Sequence, residues 1–222
     1  MKKQIISVFL VFGLVCMLFI SAMETNSNSS KVELWGEAVQ EYVTSPIGED
    51  AAVLRSLDVA VDNKITLPQI EINQAKDFYI IAGYGESEAY ELAITYVKEI
   101  NALYQEAIKN GYTVTEDEIS AYLEQLKTEF NSAGNSEEIY SFINSFESEE
   151  EYWNFQFEML KKDLPIQKYV AAMESEFVNA SISNVPATET YDATSEEVQG
   201  EWERQFENMK DIVKTSYSYS IE

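Results

Sequence analysis

Ala107-Ile108-Lys109-Asn110-Gly111-Tyr112-Thr113-Val114-Thr115-Glu116-Asp117-Glu118-Ile119 holds the end of one helix and the start of the next. Before it, Ala89, Ala93, Tyr96, Ile100, Leu103 and Ala107 recur every three or four residues, the spacing of one helical face. The stripe stops at Asn110-Gly111, where glycine can take the left-handed conformation that closes a helix. After it, Thr115-x-x-Glu118 has the form of a capping box, in which hydroxyl and carboxylate each accept from a free backbone amide. Ile119, Tyr122, Leu123, Leu126 and Phe130 then mark a second apolar face, ending at Ala133-Gly134-Asn135. Two amphipathic helices joined by a short turn make the expected fold class mostly α.

The same pattern extends towards the C-terminus. Asn135 or Ser136 opens a short helix with Ile139, Phe142, Ile143 and Phe146, and Ser148-x-x-Glu151 is a second capping box. Trp153, Phe157, Leu160 and Leu164 form a stripe that Ile166, Tyr169, Val170, Met173 and Phe177 continue past Pro165, where the ring predicts a kink. Residues 183–193 read as a linker, with Asn184 to Tyr191 (NVPATETY) at its centre. Thr194-x-x-Glu197 starts a returning helix with Val198, Trp202, Phe206, Met209 and Val213, and Ser216 to Ile221 alternates in the manner of a strand, so that 194–222 forms one helix and one strand.

On the N-terminal side, Pro68 suits a first helical position, and Ile70 to Ile81 forms a helix ending at Gly83-Tyr84-Gly85. Ser56 to Leu67 (SLDVAVDNKITL) reads as a short strand, a turn at Asp62-Asn63 and a second strand or helix start. A terminal strand needs a partner, so this segment and Ser216–Ile221 are expected to pair as a small two-stranded β element joining the two ends of the domain. Further upstream, Trp35, Val39, Tyr42 and Val43 have helical spacing before a break at Ser45-Pro46-Ile47-Gly48, so 23–55 reads as a polar tether followed by a helical segment.

Lys2 and Lys3 precede an apolar run from Ile5 to Ile20 and then Ser21-Ala22, the layout of a secretory signal over residues 1–22. The chain is thus expected to be extracytoplasmic, either released after cleavage or held at the outer face of the membrane through residues 5–22. Thr25 to Lys31 (TNSNSSK) is a polar tether in either case.

The chain has 222 residues, with 39 acidic against 15 basic and a net charge of −24. Thr128 to Leu160 holds eight Glu and no basic residue, which disfavours nucleic acid and favours cationic or basic unfolded partners. There is no His, and the only Cys, Cys16, lies in the apolar leader. Ser-His-Asp and Cys-His sites, His-ligated zinc, thiolate redox centres and disulfides therefore lack a group they need. Glu137-Glu138 and Glu149-Glu150-Glu151 stand at helix starts, where capping explains them better than acid–base work. Asp58, Asp62 and Asn63 fall short of a calcium loop, and Gly83-Tyr84-Gly85 lacks the Lys-Ser/Thr of a phosphate loop. No catalytic residue, metal or cofactor is expected.

Val59-Ala60-Val61-Asp62-Asn63-Lys64-Ile65-Thr66 resembles the opening segment of SurA/PrsA-type extracytoplasmic chaperones, and Ala107 to Ile119 is similar to that family's helix end, glycine and Val-Thr-acid-x-Glu restart. The resemblance covers Leu57 to Phe177 and implies a SurA N-terminal-like helical domain over 56–182, followed by a helix that returns to it. It departs where a parvulin prolyl isomerase domain commonly follows the long helix. Only Val178 to Glu201 separates Phe177 from Trp202, too little for such a domain, so no isomerase activity is carried over.

Aromatic residues and Met supply the remaining signal. Tyr152, Phe155 and Met159 run beside the Trp153 stripe and make that helix apolar on more than one face, with Trp202, Phe206 and Met209 expected nearby. Most such residues form core. The surplus among Tyr152, Trp153, Phe155, Met159, Trp202, Phe206 and Met209 is expected to line a groove for unfolded or exported polypeptide, with an acidic rim attracting basic segments. That is a holdase without catalysis. An accessory protein for one folded partner in the cell envelope is the alternative, with a degenerate isomerase relative behind it, and a groove aromatic reads like an interface aromatic, so oligomeric state stays open.

Overall fold

The computed structural model describes residue 34 and residues 36–40, 57–134, 136–183 and 196–222. The leader, the tether, Trp35, Tyr42, Val43, the break at Ser45–Gly48, Asn135, the stretch Asn184–Tyr191 and Thr194 lie outside the described residues.

Asp62 and Asn63 take φ of 52° and 58°, the left-handed region that short polar side chains tolerate, and the turn closes through Lys64 N–H donating to the Val61 carbonyl at 3.0 Å. Strand β1 (Lys64–Leu67) follows, burying Ile65 and Leu67 and exposing Lys64 and Thr66. The expected strand before the turn does not form. Val61 makes one isolated bridge, while Gln105 donates to the Asp58 carbonyl and accepts from Ala60 N–H, both at 2.7 Å. A buried side chain thus takes the hydrogen bonds that a strand partner would have made.

Pro68 lies just outside helix α1 (Gln69–Ala82) rather than at its first position, with an extended ψ of 129°. Gly83, at φ 110°, ends α1: Tyr84 N–H donates to the Tyr79 carbonyl and Gly83 N–H to that of Ile80, the two bonds of a Schellman motif. Helix α2 (Glu86–Lys109) ends the same way, with Gly111 at φ 84° and Tyr112 N–H on the Ala107 carbonyl. Helix α3 (Glu116–Ser132) opens with both bonds of the Thr115/Glu118 capping box. In α4 (Ser136–Ile143) and the turn after it, Ile139, Phe142, Ile143 and Phe146 are all buried. Helix α5 (Glu149–Ser183) has the hydroxyl half of its box, Glu151 N–H on Ser148 Oγ at 3.1 Å, but the Glu151 carboxylate reaches one residue further and accepts from Glu147 N–H. Helix α6 (Glu196–Thr215) leads into β2 (Ser218–Ile221).

The fold is mostly α, with one small sheet. β1 and β2 pair in parallel, Lys64 opposite Ser218 and Leu67 opposite Ile221, so the two ends of the described domain meet. Glu222 extends the ladder, donating to the Leu67 carbonyl and accepting from Gln69 N–H at 2.8 Å. Tyr217 and Tyr219 lock the strand to its surroundings: the Tyr217 hydroxyl donates to Glu106 at 2.8 Å and that of Tyr219 to the Lys214 carbonyl. Burial raises both phenols, Tyr219 to about 12 and Tyr217 further with the help of Glu106.

α2 is the central element, packed on α1, α5, α6 and β1. Its middle is buried nearly all round, from Ile100 to Gln105 and again at Ala107, so the apolar stripe seen in the sequence understates it. Asn101 is fully enclosed there, and beside it Lys162 of α5, with no exposed surface, donates to Glu71 Oε1 of α1 and to Asn101 Oδ1, each at 3.0 Å. Asn101 Nδ2 donates in turn to Glu71 Oε2 at 2.9 Å and to the Val97 carbonyl. The Lys162 ammonium also lies 5.8 Å from the Tyr104 ring centre.

α5 runs unbroken through Pro165, which sits where it passes from one core to another. Leu160 and Leu164 pack with Ile119, Phe142 and Phe146 of the α3–α4 side, whereas Ile166 and Val170 pack with Leu103, Trp202 and Phe206. Residues 36–40 are helical and lie against the turn after α4. A side chain at Gly36 would collide with Ser145, and Val39 joins the α3–α4 core.

Lys162→Met is expected to cost about 3–5 kcal/mol, because it leaves Glu71 buried beside an apolar side chain. Pairing it with Glu71→Leu should bring the urea midpoint back towards wild type; a double variant as unstable as the sum of the singles would contradict the triad as one unit. At the α3 cap, Thr115→Ala should cost about 1 kcal/mol. Hydrogen bonds from Lys168 and from Thr115 N–H hold the Glu118 carboxyl below its ordinary 4.5, so its stabilising contribution is present above that pH and fades as pH falls through the lowered value. The gap in melting temperature between wild type and Glu118→Gln should accordingly be full at neutral pH and close in acid.

Candidate functional site

Trp202, Phe206 and Met209 stand at i, i+4 and i+7 on α6, and Met173, Phe177 and Ala180 repeat that spacing on the C-terminal half of α5. Each helix packs on α2, and their direct approach to one another is slight. The result is a groove of about 470 Å³ between them, with Met173, Phe177, Trp202, Phe206 and Met209 in its walls and floor. Trp202 and Phe206 are 6% and 3% exposed and stack at 5.6 Å between ring centres, and Phe177 tilts against Trp202 at 5.8 Å. They rest on Ile100, Leu103 and Tyr104 of α2, which fixes the floor, while the half-buried Met173, Phe177 and Met209 remain the adjustable part.

The margin is acidic. Glu176 and Glu201 border the groove together with Ser181 and Gln205. From Val170 to Ser183, α5 carries Glu174 and Glu176 and no basic residue; from Glu196 to Met209, α6 carries five Glu and only Arg204. Lys210, one residue beyond, is held by Glu207 at 2.8 Å and by Glu99 at 3.8 Å. The groove can therefore bury apolar side chains and attract positive charge.

The seven expected site residues do not form one surface. Trp202, Phe206 and Met209 line the groove, whereas Tyr152, Trp153, Phe155 and Met159 belong to the α3–α4 side of the molecule. Tyr152 is 1% exposed and makes edge contacts with Phe142, Phe146 and Trp153. Trp153 lies under Lys127 at 5.0 Å and donates to Glu149 at 2.9 Å, and Phe155 packs on Phe146. The apolar surplus at this level of α5 is spent on packing, because α4 and the turn after it cover a second face of the helix. The sequence reading put Met173 and Phe177 in a core stripe and passed over Ala180, Glu176 and Glu201; the signal available was the shared i, i+4, i+7 spacing with acids beside it.

Lys162 and Glu71 form a buried acid–base pair whose groups satisfy each other. Glu149 and Glu151 are engaged by Trp153 and by Glu147 N–H, in keeping with helix-start roles. Among the described residues no three His, Cys, Asp or Glu side chains are placed to hold a metal ion.

Tyr152→Ala should cost about 3–5 kcal/mol in chemical denaturation, as for a large core side chain. Glu176→Lys with Glu201→Lys, both exposed, should leave the midpoint within about 0.5 kcal/mol of wild type. A stable Tyr152→Ala protein would overturn the division between core and groove.

No family model, curated protein or solved structure matches this chain.

Proposed function

We propose that this chain is a non-catalytic, chaperone-like protein that reversibly holds unfolded or exported polypeptide in the α5–α6 groove. The observation that carries the reading is the groove lined by Trp202, Phe206 and Met209 with Glu176 and Glu201 at its margin. Two or three large apolar side chains buried there would contribute about 4–8 kcal/mol, less the cost of ordering the bound segment. That corresponds to weak, exchanging binding, about micromolar at best. Such binding lowers the free concentration of an unfolded client, and with it aggregation, without nucleotide or covalent chemistry.

Three further features support the reading. The signal-like layout of residues 1–22 supports a location outside the cytoplasm, with the chain released or tethered through residues 5–22. Leu57 to Phe177 resembles the SurA/PrsA chaperone module without its isomerase. The net charge of −24 favours basic clients and keeps a loaded holdase soluble. Among the described residues no helix is long and apolar enough to cross a membrane.

Diluting a chemically unfolded basic client into buffer with equimolar full-length chain should reduce light scattering severalfold, and raised salt should weaken the effect. Scattering unchanged at equimolar and at tenfold excess chain would sink the proposal.

A further inference from the structure

We infer that the occupant of the α5–α6 groove is a short, basic, amphipathic helix, so that a client segment folds into a helix on the chaperone surface instead of lying along it as an extended strand. This rests on the holdase reading and narrows it.

Both walls of the groove are α-helices, α5 and α6, whose backbone amides and carbonyls are bonded within their own helices except for the carbonyls of the last turn of α5, at Ala180 and Ser181. Over the rest of its length the groove accordingly presents side chains only, and most of them are apolar. An extended segment would lay its own amides and carbonyls against Trp202, Phe206 and Phe177 with no ladder to join, unlike a strand added to a sheet edge. At the margin Glu176 and Glu201 only accept hydrogen bonds, and Ser181 and Gln205 offer two separate polar groups, not a ladder. A helical segment arrives with its backbone already satisfied.

Shape points the same way. Met173, Phe177 and Ala180 on one wall and Trp202, Phe206 and Met209 on the other are two matching i, i+4, i+7 ridges. Residues seven apart on a helix span about 11 Å, two turns. A third helix with apolar residues at i, i+3 or i+4, and i+7 would lay its ridge between these two, as helices pack elsewhere. Charge selects the other face. The acids on this part of α5 and α6 outnumber the single Arg204, so Lys or Arg flanking the apolar ridge would meet Glu176 and Glu201.

The test uses the full chain and fluorescently labelled peptides of about 18 residues built from Leu, Ala and Lys. One places Leu at helical spacing; a second has the same composition shuffled to remove the apolar face; a third keeps the spacing but carries two central Pro; a fourth replaces Lys with Glu. The first is expected to bind at least tenfold tighter than the others by anisotropy and to gain helical circular dichroism on binding. Ala180→Trp fills the groove from an exposed position, and it should weaken that binding about tenfold with an unchanged melting temperature. Glu176→Lys with Glu201→Lys should do the same and flatten the salt dependence.

Equal or tighter binding of the shuffled or Pro-containing peptide would overturn the helical occupant while leaving the holdase reading standing. Helical binding indifferent to Ala180→Trp would remove it from this groove. No binding by any peptide, together with unchanged client aggregation, would remove both.

Discussion

A single ammonium group holds three helices of this fold in register. Lys162 carries a full charge into a site without solvent, and that is tolerable only while Glu71 of α1 and Asn101 of α2 stay within hydrogen-bonding distance. The arrangement ties α1, α2 and α5 at one point, and α2 then presents its remaining faces to α6 and β1. Apolar packing alone would allow helices to slide by a turn at modest cost. A charge that must find one carboxylate allows no such slippage, so the triad specifies the arrangement more than it stabilises it.

With that point fixed, the two faces of α5 follow separate fates on either side of Pro165. The N-terminal half is closed over by α3, α4 and residues 36–40, and its aromatics become core. The C-terminal half is supported from below by α2 and flanked by α6, which leans on α2 more than on α5. The groove is therefore a consequence of two helices sharing one support. Its floor is rigid because Trp202 and Phe206 stack on each other and on α2, and its walls are adaptable because Met173 and Met209 can change rotamer without disturbing that support.

Helix boundaries were legible because they depend on local chemistry. Gly83 and Gly111 close helices that periodicity had already outlined, and Thr115 with Glu118 opens one. The pairing of Ser216–Ile221 with the segment before Pro68 was legible because each strand-like stretch lacked any other partner, though nothing in either fixed the parallel direction. What escaped was whatever depends on neighbours distant in the chain. A buried Lys162 reads like any lysine on a solvated face, and Gln105 gives no sign that it will replace a strand for Asp58 and Ala60. Periodicity shows which face of α5 is apolar but not what covers it, so Tyr152 and Trp202 looked equivalent in the sequence and differ in the fold.

The parallel pairing of β1 and β2 also sets an order of events during synthesis. β2 is the last described element to leave the ribosome, and Leu67, Ile65 and the Gln69 amide wait for it from the time they emerge. At ordinary rates of translation that interval is about 10–30 s, far longer than helix formation or hairpin closure. Until then Ile65 and Leu67 lack the strand that pairs with theirs. Pairing with the final strand is therefore the last step by which the described domain can close, wherever the chain folds.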